Sequence, residues 1–376
     1  MICTAQAFST DESRDVLTGD PNNANAGEYN AVDLARFICA ILVVSIHVAP
    51  FGAADDRLVS LLNYVIQNWL ARIAAPIFFA ASGFFLYRKT PLERFSLSPT
   101  RACVVKLARL YVIWALIYSP FRLKAILEDG RGIVHGIFDY AVFMGRYTQL
   151  WFIPALIVSV VLVSFLLSRR IGIRKILTAA LFFYTLGLLG QSWFGVLAPL
   201  RTSAPEIRSL LETFIRIIGT TRNGLFDGFL FVGMGAYIAF NGFKIPQKKA
   251  LLLFAASYLL MFAEAFFVKY FDLARANDMY IFLAPSTYLA FGLLVNFRMT
   301  GRGGAYRTLR ALSALIYYSH LWILSLVGIF LNLIGVQTGV TCLPFMLTVI
   351  GSAAFSYAVY RLSKFPFFKW LKILYS

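Results

Sequence analysis

The chain has 376 residues, 59% of them hydrophobic and only 14% charged, with a mean hydropathy of +0.72. Soluble domains run at about 45–50% apolar and about 25% charged, so the composition excludes a soluble globular protein and points to one embedded in a bilayer. The formal net charge of +17 is therefore read by where the charges lie, not as a nucleic-acid footprint, and no nucleic-acid partner is expected.

Residues 1–30 are rich in Asn, Ala, Ser, Thr and Asp. They lack the basic start, apolar middle and small-residue cleavage site of a signal peptide, and are expected to form a mobile cytoplasmic tail. Ten mostly apolar segments follow, each near the length a span requires. They lie near 33–50, 65–87, 105–121, 150–168, 175–195, 223–240, 249–268, 279–297, 309–334 and 341–361. The stretch 132–148 is apolar but broken by Gly, His and Asp; it is expected to lie along the interface or to re-enter the bundle. Pro76, Pro154 and Pro285 fall inside or near the ends of spans, where a kink is tolerated if neighbours satisfy the freed carbonyls. No internal repeat is visible. The expected fold is all-α: a polytopic integral membrane protein of about ten transmembrane helices, with its transmembrane domain over 31–364 and a short basic tail over 365–376.

The basic residues set direction. The regions 88–109, 169–175, 241–249, 298–310 and 361–376 hold 21 of the 35 Lys and Arg and one acid, Glu93. The opposite loops mix signs, with Asp55, Asp56 and Arg57, then Lys124, Glu128, Asp129 and Arg131. This bias predicts both termini inside. The architecture suits a multi-pass protein of a bacterial cytoplasmic membrane. Cys3, Cys39, Cys103 and Cys342 have neither metal-ligand spacing nor the look of a disulfide framework, and are expected to be reduced. No metal site is expected.

The first span, DLARFICAILVVSIH from Asp33 to His47, carries charge that a purely lipid-facing helix would not need. Eleven residues make about three helical turns, so Arg36 and His47 project from nearly the same face, about 16 Å apart. Asp33, three residues before Arg36, can pair with it. Ionisable residues inside spans are rare and usually functional. An anionic ligand with a long arm, gripped by Arg36 and reaching His47 with its reactive end, fits this spacing. Coenzyme A thioesters have that shape, and histidine is the common general base near neutral pH. Lys106 and Arg109, one turn apart at the start of the third span, are further candidates for the donor's phosphates. In the remaining spans, Arg72 is a candidate acceptor-binding residue. Glu264 needs a partner, for which Arg72 and Arg222 are candidates, and Asp227 is a similar acid. The Arg222-Asn223-Gly224 turn has free N–H groups and a glycine that allow close approach of a polar ligand. His320 is mid-span beside Tyr318 and Ser319, and His135 lies in an outer segment.

Several segments together resemble acyltransferase family 3, integral membrane enzymes that O-acylate sugars and other acceptors. They are the Arg36…His47 spacing, RIAAPIFFAASGFFLYRK (72–89), LARLYVIW (107–114), LWFIPALI (150–157) and IYYSHLWI (316–323). The resemblance runs from about residue 30 to 361. It implies acetyl-CoA or another acyl-CoA as co-substrate, with His47 as general base or acyl relay and Arg36, held by Asp33, positioning the donor. It also implies a carbohydrate or other hydroxyl acceptor, such as a cell-envelope glycan or lipid-linked sugar. TRNGLFDGFLFVGMGAYIA (221–239), SIHVAPF and LARIAAP are most similar to a branch containing the membrane part of the vancomycin-resistance serine racemases, which is associated with serine supply. A carrier for a small amino acid is therefore the alternative. The absence of a soluble racemase domain within these residues weighs toward acyl transfer.

Overall fold

The computed structural model describes residues 29–52, 56–90, 95–127, 149–299, 303–336 and 341–376. Residues 1–28 of the tail expected over 1–30, the segment 132–148 and His135 lie outside these residues, and Asn30 already begins α1.

Every one of the ten apolar segments contains a helix, and the protein is an all-α polytopic membrane protein. In lipid the helix satisfies its own backbone N–H and C=O groups, which is why apolar runs of this length fold this way. In chain order the helices are α1 (Asn30–His47), α2 (Arg57–Asn68), α3 (Ala74–Tyr87), α4 (Ser98–Leu127) and α5 (Phe152–Ser168). They continue as α6 (Ile173–Leu188), α7 (Ala198–Ser203), α8 (Pro205–Ile218), α9 (Phe229–Asn241) and α10 (Gln247–Tyr270). The last three are α11 (Leu283–Asn296), α12 (Gly303–Leu333) and α13 (Leu343–Leu362), before a 3₁₀ segment, Pro366–Leu374. Among the described residues, eight helices are long and apolar enough to cross a membrane, and α11 is a shorter apolar one.

Helices α3 and α9 pack tightly against each other. A Cβ on Gly83 would sit 2.2 Å from the Val232 carbonyl oxygen, and one on Gly235 would sit 2.0 Å from that of Ala80. Small residues on both sides let the two backbones touch, the usual way membrane helices gain packing where lipid removes the hydrophobic drive. Gly235→Ala is therefore expected to cost about 3 kcal/mol or more, read as a lower melting temperature in detergent. An unchanged melting temperature would show that the crossing can open without penalty.

Pro76, Pro154 and Pro285 stand near helix starts and not in helix interiors. Each is the third residue of its helix, where the N–H it lacks would have had no intrahelical partner. The 196–222 region, which contains no span-length apolar run, holds an amphipathic helix: α8 exposes Ile207, Leu210 and Phe214 along one side and carries an Arg208–Glu212 pair on the other. Its Phe214 packs edge-on against Phe226. The basic 365–376 tail is ordered and packs against α4 and α13. Cys39 and Cys342 are free thiols, whereas Cys103 is disulfide-bonded, against the expectation that all four are reduced.

Candidate functional site

At the first end of α1, Arg36 is fully buried and donates from Nη1 to Asp33 Oδ1 at 3.4 Å, the pairing expected from their spacing. Asp33 has a closer partner. Arg310 of α12 grips both carboxylate oxygens, Nε to Oδ1 at 2.8 Å and Nη2 to Oδ2 at 2.6 Å. With Asp33 held by that fork, Arg36 is left under-satisfied, and its Nε and Nη2 find no partner among the described residues. Burying such donors is costly unless something else completes them. The Tyr318 hydroxyl and Ser319 Oγ, just before His320 on α12, are likewise buried and without hydrogen-bond partners among the described residues. Lys106 is half-buried and Arg109 exposed; Arg109 donates to the backbone oxygen of Ser376 at 2.9 Å.

At the far end of α1 lies a cavity of about 40 Å³ lined by His47, Arg72, Trp151, Arg222, Asp227, Asp278 and Tyr317, among others. His47, the last residue of α1, is solvent-exposed. Gln67 of α2 holds the helix end by donating to the Ser45 carbonyl at 3.0 Å, and Asn63 pins the following turn through Phe51 N and Gly52 O. The cavity accommodates a water-sized group, such as the reacting end of a larger molecule.

Four helices begin here. Arg72 lies in the 3₁₀ turn before α3, Trp151 in the one before α5, Asp227 in the π-helical turn Gly224–Gly228 leading into α9, and Asp278 before α11. Helix N-termini carry partial positive charge and free N–H groups, and Arg72 and Arg222 add to them. Asp278 is the counter-charge: its Oδ1 accepts from Arg72 Nη1 at 2.5 Å and from Arg222 Nη1 at 2.9 Å. Arg72 also donates to Asn68 at 3.0 Å, and Arg222 lies over the Trp151 ring at 4.6 Å. The Nε atoms of both arginines and Oδ1 of Asp227 are buried without partners among the described residues.

Burial alone would raise the Asp278 carboxyl, but Arg222 and then Arg72 together outweigh it and hold it below the usual carboxylate range. A depressed folded value means that the cluster adds stability above the unfolded value of about 3.9 and loses it as pH falls through the lower folded value. Melting scans from pH 6 down to about pH 2 are expected to show that acid loss in the wild type. In Asp278→Asn it is replaced by a uniformly lower melting temperature. Identical pH curves for the two proteins would count against the cluster as a source of stability.

The other candidates separate. His320 comes to His47, ring centroids 5.2 Å apart. Glu264 does not partner Arg72 or Arg222. Its carboxylate accepts from Trp193 Nε1 at 2.7 Å, Ile281 N at 2.7 Å and Phe282 N at 3.0 Å, so it caps the entrance to α11. Asn223 is likewise occupied as a cap, accepting from Leu225 N and Phe226 N and donating to the Thr220 carbonyl. Gly224 owes its identity to packing: a Cβ there would sit 2.5 Å from the Ala155 carbonyl oxygen. The sequence reading missed Arg310, which looked like one more topology-setting cation. It also missed Asp278, which stands at a span edge far along the chain from both its arginines.

Over 276 residues the chain is 28% identical to an amino-acid racemase of Enterococcus faecalis, covering 73% of this chain and 37% of that protein. A second amino-acid racemase of the same organism is 29% identical over 274 residues, 72% of this chain and 38% of the relative. The serine/alanine racemase of Enterococcus gallinarum is 26% identical over 269 residues, 70% and 37% respectively. The chain thus spans little more than a third of the length of the curated relatives it matches. No solved structure matches it. The acyltransferase 3 family model, described as an acyltransferase domain, matches residues 29–361, nearly all of the membrane helices and both ends of α1, and the chain belongs to that family.

Proposed function

We propose that the protein is a membrane O-acyltransferase that moves an acyl group, in the simplest case acetyl, from a CoA thioester at the Arg36 end of α1 to an acceptor hydroxyl at the His47 end. The observation that carries this reading is the pair of sites at the two ends of one helix. One is a fully buried guanidinium with two nitrogens unpartnered among the described residues, and the other a histidine lining a polar cavity. With the termini inside, the donor arrives from the cytoplasm. Its phosphates meet Arg36, with Lys106 and Arg109 nearer the surface. The amides of its arm have the Tyr318 hydroxyl and Ser319 Oγ as partners. At the other end His47 takes the acceptor's proton, and the converging helix N-termini with Arg72 and Arg222 favour the oxyanion that forms on the thioester carbonyl. A glycan or lipid-linked sugar of the envelope of a bacterial cell is the acceptor class that fits this arrangement.

The test uses purified protein in nanodiscs, titrated with acetyl-CoA while free CoA thiol is followed. The reading predicts binding that needs Arg36 and thiol release that needs His47. No binding by a folded wild type would sink it.

A second reading, a carrier for a small amino acid, is supported by one feature. The cavity offers unpartnered groups of both signs, Arg72 and Arg222 Nε and Asp227 Oδ1, as a zwitterion would require. The relatives' names, amino-acid and serine/alanine racemase, lend it weak support. Uptake of radiolabelled serine into proteoliposomes tests it directly.

A further inference from the structure

Two histidines meet at the far end of α1. His320, from the middle of α12, is fully buried. Its ring centroid lies 5.2 Å from that of His47, the planes inclined by 38°. Its Nδ1 is 3.1 Å from the carbonyl oxygen of Ile316, one turn back in the same helix. A carbonyl can only accept, so Nδ1 carries the hydrogen and Nε2 presents a lone pair. That Nε2 is buried and has no partner among the described residues. His320 is therefore a buried acceptor with its tautomer already assigned.

His47 is the donor within reach. The two rings are neighbours, centroids 5.2 Å apart, and although no hydrogen bond joins them in this structure, a turn of the His47 ring brings one of its nitrogens toward hydrogen-bond range of Nε2. Among the described residues no hydrogen bond fixes the His47 ring otherwise, so it is free to turn toward Nε2. The two carboxylates of the cavity are not its orienters here. Asp278 is committed to Arg72 and Arg222, and Asp227 makes no bond to His47.

We propose that His320 is the positioning residue for His47: its Nε2 accepts the N–H of one His47 ring nitrogen, so that the other nitrogen is bare and faces the cavity. The proposal rests on the acyltransferase reading. In the transfer, the acceptor's proton passes to the bare His47 nitrogen as the acceptor oxygen bonds to the thioester carbonyl carbon. When the C–S bond breaks, that proton goes to the departing thiolate. His320 neither gains nor loses a proton; it holds the second N–H throughout and steadies the imidazolium between the two steps. A neutral imidazole fills this role without the cost of another buried charge.

The protein has three histidines, so the ring nitrogens of His47 can be assigned by single substitution in protein labelled with ¹⁵N-histidine in nanodiscs. The wild type is expected to give one protonated and one bare nitrogen for His47. In His320→Asn, which keeps an N–H for the Ile316 carbonyl but cannot reach His47, the two signals should average. In His320→Gln, whose Oε1 reaches the Nε2 position, they should stay apart. With acetyl-CoA as the probe, His320→Asn is expected to lower the kcat of thiol release about 10- to 100-fold at unchanged KM, and His320→Gln to recover most of it. The double variant His47→Ala/His320→Asn should be no slower than His47→Ala alone, whereas a merely structural role would multiply the losses. Separate His47 signals and wild-type thiol release in His320→Asn would overturn the proposal and leave the acyltransferase reading standing. Wild-type release in His47→Ala would overturn both the proposal and the base role given to His47, and no thiol release by the folded wild type would overturn the acyltransferase reading itself. Should His320→Asn fail to fold, averaged His47 signals in folded His320→Gln would overturn it.

Discussion

His47→Ala is expected to lower acyl transfer by about 10²- to 10⁴-fold, the usual contribution of a positioned general base, while the protein still folds and still binds acetyl-CoA. The two halves of this result have separate physical grounds. The ring lines the cavity and is exposed, so its removal leaves no packing void and strands no charge; surface changes of this kind usually shift stability by less than about 0.5 kcal/mol. Donor binding depends on the other end of α1, about 16 Å away, where Arg36 is untouched. Free-thiol release and acetyl-CoA binding, measured on the same preparation, separate the two effects. Retained turnover would move the proton transfer to another cavity residue, with Asp227 the next candidate. Lost binding would mean that the two ends of α1 do not act independently.

Asp33→Asn is expected to be among the most destabilising single substitutions in the protein, at about 3–5 kcal/mol, the range for removing one partner of a buried ion pair. Asp33 is 1% exposed and serves two guanidiniums, Arg310 through a short fork and Arg36 through one longer contact. Neutralising it leaves Arg36 with no counter-ion among the described residues. Arg310→Ala should cost less, because that side chain is 30% exposed and its loss leaves Asp33 to pair fully with Arg36. The measurement is the melting temperature of both variants with and without acetyl-CoA. If donor phosphates complete Arg36, acetyl-CoA should raise the Asp33→Asn melting temperature by at least as much as it raises the wild type. A Asp33→Asn variant as stable as the wild type would mean that Arg36 reaches water or another anion.

The two arginine sites also mark how far the sequence could be read. Asp33 and Arg36 lie one turn apart, and Arg36 and His47 three turns apart on a single helix. Their relation follows from helix geometry, and it was legible before any fold was known. Asp278 with Arg72 and Arg222, Asp33 with Arg310, and His47 with His320 join residues from distant helices, and no spacing rule reaches across such separations. Glu264 shows the opposite failure. An acid in an apolar run suggested a charged partner, but three N–H donors at the entrance to α11 satisfy it instead. Asn223 looked like a ligand contact for a related reason: the residue types that cap helices are also those that bind polar ligands. The amphipathic α8 escaped notice because its apolar residues follow a helical period and not a continuous run.

What the sequence by itself determined is the class of solution. Apolar runs of span length must become helices because lipid offers the backbone no other hydrogen-bond partner, and the charges in the first helix had to mean something because the bilayer makes idle ones costly. What only the tertiary structure decided is which charges meet. Four helix starts converge at the end of α1, and Gly83 and Gly235 let α3 and α9 close on each other. Packing, which depends on shape summed over many distant residues, gathers the cavity groups around His47 and brings His320 within reach of it.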